Sequence, residues 1–248
     1  MVRCVVRPEQ VQQGVVILDP RQTKHVATVL RLRAGDEFIL VTGDGPPSVV
    51  RLEAVRGSWA TARVLRPAPL PPPEPWAVSL AAAIPRHPAA FDQIVDQAAQ
   101  IGAACIIPMI TARSVTRVEP ARGTVRHRRW RHLAEAAAEQ SGRATIPTVE
   151  LPRTFSEVLA RRADYDRLLI PTVGAPWMPV TDWLRPPIPR RILLLVGPEG
   201  DFTPEEIQQA SDAGAVQISL GDNVLRCETA VPVVLALLTH TLRCLPRK

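Results

Sequence analysis

The sequence predicts an α/β protein in two unequal parts: a smaller N-terminal β-barrel and a larger domain with a mostly parallel sheet. Three observations predict it. Residues 66–76 read RPAPLPPPEPW, with five prolines from Pro69 to Trp76, a composition that neither a helix nor a central strand runs through. Before that spacer, short runs rich in Val, Ile and Leu are broken by Gly, Asp and Pro turns. After it, strand-like apolar runs alternate with helical stretches, which implies a sheet with helices on both faces. The expected boundaries are therefore a barrel at 1–70, a Pro-rich linker at 71–75 and the larger domain at 76–248.

In the first part, CVVRPE, GVVILD, EFILVTGDG and VVRLEAV read as strands. Between the second and third lies a helical piece, RQTKHVATVLRLRAGD, with Val26, Val29 and Leu30 spaced for one face. Arg31 and Arg33 follow it, placed either to meet phosphate or simply to be solvated. In the second part the expected strands are 78–84, 105–110, 167–173, 192–196 and 216–220. The helical stretches between them are FDQIVDQAAQIG, RRWRHLAEAAAEQSG, SEVLARRAD and PEEIQQASDAG. Several end in glycine, at Gly102, Gly142 and Gly214, the usual place of a left-handed cap.

Composition narrows the function classes. The 248 residues are 46% hydrophobic, yet no apolar run approaches the ~20 residues that cross a bilayer. The start, MVRCVVRPEQ, has no apolar core or cleavage site of a secretory signal. Cys4, Cys105, Cys227 and Cys244 lack CxxC spacing, which argues against a zinc site and a disulfide scaffold. A soluble, cytoplasmic chain without metal or membrane contact is expected. The net charge of +6 allows a polyanionic partner. Of the 30 basic residues only Lys24 and Lys248 are Lys, and with abundant Ala and Pro this reads as coding bias.

Two loops carry the candidate chemistry. RRILLLVGPEGDFTPEEI, 190–207, takes an apolar run into Gly-Pro-Glu-Gly and then into a helix start. Thr203 is placed as N-cap, Pro204 at the first helical position, and Glu206 to complete a capping box. The 197–202 loop thus lies at the carboxyl end of a buried strand, where open α/β sheets bind ligands. It lacks the Gly-Lys-Ser/Thr of a P-loop and the GxGxxG of a dinucleotide site. The second stretch is VQISLGDNVLRCETAVPVVLALLTHTL, 216–242. Its Val231, Val234, Leu235, Leu238 and Leu242 line one helical face, and Pro232 is tolerable if Thr229 caps the helix. Arg226 and Glu228, between buried elements, need partners or a ligand; a structural Arg–Glu pair is the alternative. In 126–147, Arg131, Glu135 and Glu139 are spaced for helical ion pairs.

GPEGDF, LGDNVLRCETA, AEQSGR, the earlier QAAQIGAACIIPMITARSV and the small N-terminal barrel occur in an order that resembles the RsmE family. These are S-adenosylmethionine-dependent enzymes that methylate N3 of one uridine in bacterial 16S ribosomal RNA. The resemblance implies a PUA-like RNA-binding barrel followed by a SPOUT-type, trefoil-knotted α/β domain acting as a homodimer. Backbone of the two loops would then hold S-adenosylmethionine. The residues implied are Leu195, Val196, Gly197, Pro198, Glu199, Gly200, Leu220, Gly221, Val224, Leu225, Arg226, Thr229 and Ala230. Glu199 is the candidate base or orienter and Arg226 the charge-stabilising group; Arg31, Arg33, Arg113 and Arg143 are the candidate RNA contacts. Three positions depart from the family pattern: Asp201 where a third glycine is usual, Gln100 for an acidic residue, and Asn223 for an arginine. The alternatives are a SPOUT methyltransferase with another RNA target and a catalytically silent RNA-binding protein of the same fold.

Overall fold

A computed structural model of the protein describes residues 2–42, 45–69, 74–114 and 120–245. The core of the expected linker, 71–73, lies outside these residues. The chain forms two compact units, one from residues 1–73 with 138–146 and one from 74–137 with 147–248.

In the first unit, β1 (Arg3–Val5), β2 (Val11–Gln12), β3 (Val15–Leu18), α1 (Pro20–Lys24), β4 (Glu37–Val41), β5 (Ser48–Arg56) and β6 (Trp59–Pro67) follow in sequence. The strands make one curled sheet in the order β1-β4-β5-β6-β3-β2. Alternate side chains point inward, so Cys4, Val16, Leu18, Phe38, Leu40, Val50, Leu52, Ala60 and Ala62 close a single core. β6 is absent from the sequence expectation. It buries only the small Ala60 and Ala62 and exposes Trp59, and its pairing with both β3 and β5 defines it as a strand. The helical piece also differs. After α1 the chain widens into a π-helical turn at His25–Val29, where the Leu30 amide reaches the His25 carbonyl at 2.9 Å. That changes the period, so Val26 is buried while Val29 is 62% exposed.

A side chain ties β1 to the segments just before β2 and just after β3. Gln22 Nε2 donates to the Val5 carbonyl at 2.9 Å, and Gln22 Oε1 accepts from the Asp19 amide and from Gln10 Nε2, each at 2.8 Å. The 138–146 segment adds Glu139, whose carboxylate accepts from the Val5 amide at 3.2 Å and lies 3.6 Å from His25 Nε2. Glu139 therefore serves the barrel, in place of the expected helical pairing.

The second unit contains β7 (Ala77–Ala83), α2 (Pro88–Ile101), β8 (Cys105–Ile110), α3 (Pro120–Ser141), β9 (Thr148–Val149), β10 (Arg153–Thr154) and α4 (Phe155–Leu159). It continues with β11 (Arg167–Pro171), α5 (Val180–Trp183), β12 (Arg191–Val196), α6 (Pro204–Asp212), β13 (Ala215–Ile218) and α7 (Cys227–Cys244); the last residues of α3 count with the first unit. The sheet order is β10-β8-β7-β12-β11-β13, with β9 beside β8. All its pairings among the described residues are parallel.

Such a sheet is buried on both faces and demands continuous apolar strands. In β12, Ile192, Leu194 and Val196 pack with α2, α5 and α7, while Leu193 and Leu195 pack with α4 and α6. The expected α7 face is buried at all five positions. Its cap differs from expectation: Arg226, not Thr229, is the N-cap, and Pro232 lies inside the helix. Pro232 has no amide to offer the Glu228 carbonyl. From the edge strand β13 the chain returns to pack α7 against α2, β7 and β12.

Replacing Gln22 with Ala removes the side-chain partner of the Val5 carbonyl, the Asp19 amide and the Gln10 carboxamide. A loss of about 1–3 kcal/mol is expected for the groups left unpaired, measured as faster hydrogen exchange of the β1 and β3 amides in urea.

Candidate functional site

Parallel pairing brings the carboxyl ends of β7, β8, β11 and β12 to one edge of the sheet. The turn after β12 is the point at which they meet. Asp201 N donates to the Pro198 carbonyl at 2.9 Å, closing a tight turn, and Thr203 caps α6 with Glu206 completing the capping box, as the sequence predicts. Gly197 is required at the start of this turn. A Cβ there would lie 3.0 Å from the ring of Phe202, which is itself 2% exposed and fixed against Phe155.

Three neighbouring strand ends hold the turn. Beyond β7, the Arg86 amide donates to Glu199 Oε1 at 3.1 Å. Beyond β8, Arg113 donates through one guanidinium nitrogen to the carbonyls of Gly200 and Phe202, and the Ala112 amide donates to the buried Glu206 carboxylate at 2.8 Å. Beyond β11, the Val173 amide donates to Asp201 Oδ2 at 3.1 Å.

The second loop joins this turn through α7. Cys227 Sγ donates to the Gly197 carbonyl at 2.9 Å. Leu220 and Leu225 pack partly buried on the same apolar cluster as Val196, Cys227 and Ala230. The structure thus brings together the two stretches singled out from sequence. Leu195, Val196, Gly197, Pro198 and Ala230 are buried, Leu220 and Leu225 half-buried, and Glu199, Gly200, Gly221, Val224, Arg226 and Thr229 exposed. Among the described residues no ion pair joins Arg226 to Glu228, and the Arg226 side chain is solvent-exposed. Arg31, Arg33 and Arg113 are exposed and Arg143 half-buried.

The electrostatics are acidic. Burial first, then the charges of Glu199, Glu228 and Asp201, push the Cys227 thiol up to about 12 from its ordinary 9.0. Three carboxylates therefore act on one buried point, in a chain that is basic overall. A cation, or a ligand with a cationic centre, fits that surrounding. Arg86 and Val173 escape a motif reading, because they offer backbone amides that carry no residue signature; Phe202 and Cys227 lie inside the quoted motifs, which gave them no role.

Residues 72–239 match the RNA methyltransferase domain family and residues 18–46 the RNA methyltransferase PUA domain family. The ribosomal RNA small subunit methyltransferase E of Synechocystis sp. is 33% identical over 94% of this chain and 76% of its own length. The Mycobacterium bovis protein of the same name is 34% identical over 90% and 85%. The solved structure of the Neisseria gonorrhoeae small subunit methyltransferase E bound to S-adenosylmethionine superposes with a TM-score of 0.83 at 29% identity, covering 97% of this chain and 98% of that one.

Gly197→Ala forces a methyl group against the Phe202 ring, and a cost of about 1–3 kcal/mol is expected, together with weakened donor binding; thermal unfolding and calorimetric titration check the two. The Cys227 thiol stays protonated through neutral pH, so at pH 8 alkylation mapped by mass spectrometry should modify exposed Cys244 well before Cys227. A raised thiol value favours the folded state fully below about pH 9, and that contribution is lost as the pH climbs toward about 12.

Proposed function

Because the chain belongs to the RsmE family of RNA methyltransferases, we propose that it transfers the methyl group of S-adenosylmethionine to N3 of one uridine in 16S ribosomal RNA. The observation that carries the assignment is the meeting of the two loops at the carboxyl edge of a parallel sheet, where the Cys227 thiol donates to the Gly197 carbonyl, in a chain whose residues 72–239 match the RNA methyltransferase domain family. The donor's sulfonium is cationic, and the nearby carboxylates of Glu199 and Glu228 are of the opposite charge. Apolar Val196, Leu220, Leu225 and Ala230 offer a surface for its adenine ring, with main-chain groups of 196–200 and 220–226 as hydrogen-bond partners.

Uridine N3 carries a proton at neutral pH. Transfer requires that proton to leave, the N3–CH3 bond to form and the methyl–sulfur bond to break, releasing neutral S-adenosylhomocysteine. Glu199 is the residue we assign to receive or orient the proton. One of its oxygens is fixed by the Arg86 amide, which holds the carboxylate in place while the other oxygen has no hydrogen-bond partner among the described residues. Arg226, exposed at the start of α7, is assigned to the negative charge that develops on the flanking carbonyl oxygens.

Residues 1–70 are assigned as the PUA-like RNA-binding domain, 71–75 as its linker and 76–248 as the transferase domain, the active enzyme being a cytoplasmic homodimer. Arg31, Arg33 and Arg143 are assigned to phosphate; Arg113 already braces the Gly200 carbonyl and has its remaining nitrogens for RNA. Either naked RNA or the assembled small subunit is the polyanion that the +6 charge favours.

The test is methyl transfer from labelled S-adenosylmethionine to small ribosomal subunits lacking the modification, with nucleosides identified by mass spectrometry. The expected product is 3-methyluridine. Glu199→Gln is expected to lower kcat by about a hundredfold or more with little change in S-adenosylhomocysteine affinity; unchanged turnover would remove it from the mechanism.

A further inference from the structure

Asp201 sits in the left-handed region, at φ 60°, where a non-glycine residue is strained unless a short polar side chain offsets the cost locally. Its side chain does so. Oδ1 accepts from the Phe202 amide at 2.8 Å, and Oδ2 accepts from the Val173 amide at 3.1 Å. One carboxylate thus serves two loops that are 28 residues apart in the chain. A glycine would take the same φ more easily but would leave both amides without this acceptor.

The Val173 side is the one that needs holding. Val173 is 67% exposed and nearby Trp177 is 76% exposed, so apolar burial does not anchor the chain as it leaves β11. The last tie before it is Thr172 N to the Ile218 carbonyl at 3.2 Å. Beyond that point the Asp201 carboxylate takes over.

We propose that Asp201 is a positioning residue for methyl-donor binding: the two oxygens of its carboxylate set the separation between the Pro198–Asp201 turn and the chain leaving β11. Asp201 acts through backbone and takes no part in the chemical step. This role rests on the assignment of the 196–200 backbone to the donor.

The test compares full-length wild type with Asp201→Gly and Asp201→Asn, titrated with S-adenosylhomocysteine in a calorimeter. Asp201→Gly keeps the backbone conformation and loses both accepted bonds. Its dissociation constant is expected to rise about tenfold, with an unfolding temperature near that of wild type. Asp201→Asn retains one acceptor oxygen, and so one of the two bonds, and is expected to recover part of the affinity. Hydrogen-exchange mass spectrometry of the peptide carrying Val173 should show faster exchange in Asp201→Gly. Wild-type affinity or wild-type exchange in Asp201→Gly overturns the proposal. So does an affinity loss that Asn fails to rescue and that follows a matching fall in unfolding temperature. A wild-type protein that protects Val173 yet does not bind S-adenosylhomocysteine overturns the donor assignment, and with it the role but not the bond.

Discussion

The packing of the Phe202 ring against Gly197 fixes the direction of the chain as it leaves the central strand. A Cβ on Gly197 would press on the Phe202 ring at 3.0 Å, so the turn is tightest with glycine, and the carbonyl of Gly197 accepts from the Cys227 thiol. The other contacts follow from that turn. Glu199 meets the end of β7, the carbonyls of Gly200 and Phe202 meet Arg113 after β8, and Asp201 meets the chain after β11. A site made in this way is mostly backbone, and its shape depends on residues that never touch a ligand.

Charge divides along the same lines. The chain carries +6, yet where the two loops join, the carboxylates of Glu199, Glu228 and Asp201 act on the buried Cys227 thiol. A basic exterior draws in a phosphate polymer at long range, whereas a local acidic cluster favours a sulfonium at contact distance. Both act together because screening shortens the reach of each to about a Debye length, ~8 Å at physiological salt. The arginines on the outer face of β5 and β6 add little to that exterior field: Arg51 and Arg66 share Glu37, and Arg63 pairs with Glu53. Hydrogen bonds from Arg66 first and Arg51 second hold the Glu37 carboxyl below its usual range.

The parallel sheet was legible because burial on both faces leaves uninterrupted apolar runs, of which Ile192 to Val196 is the clearest. The capping box at Thr203 and Glu206 was legible for a similar reason: it is a local device with a local signature. β6 was not, since Ala60 and Ala62 are strand residues only by virtue of their neighbours on β3 and β5. Nor was the π-helical turn at His25–Val29, which alters the very period that the apolar spacing was read against. At the site, the residues that line the loops could be named from motifs, as could Arg113, Asp201 and Glu206, while the backbone amides that hold the loops in place could not. An amide donated by Arg86 or Val173 is available from any residue but proline, so no sequence pattern marks it.

Glu139 carries a consequence for the order of synthesis. It supplies the acceptor for the Val5 amide and faces His25, but it is encoded far downstream of both, in a segment that clusters with the N-terminal unit. When residues 1–73 have left the ribosome, the barrel still lacks this carboxylate, which arrives only once the end of α3 has also emerged. Domains tend to mature in the order they are translated; here the first unit has to wait for the second to be partly made. A gene fragment cut at the proline-rich spacer would therefore encode all six strands but leave the Val5 amide without this acceptor.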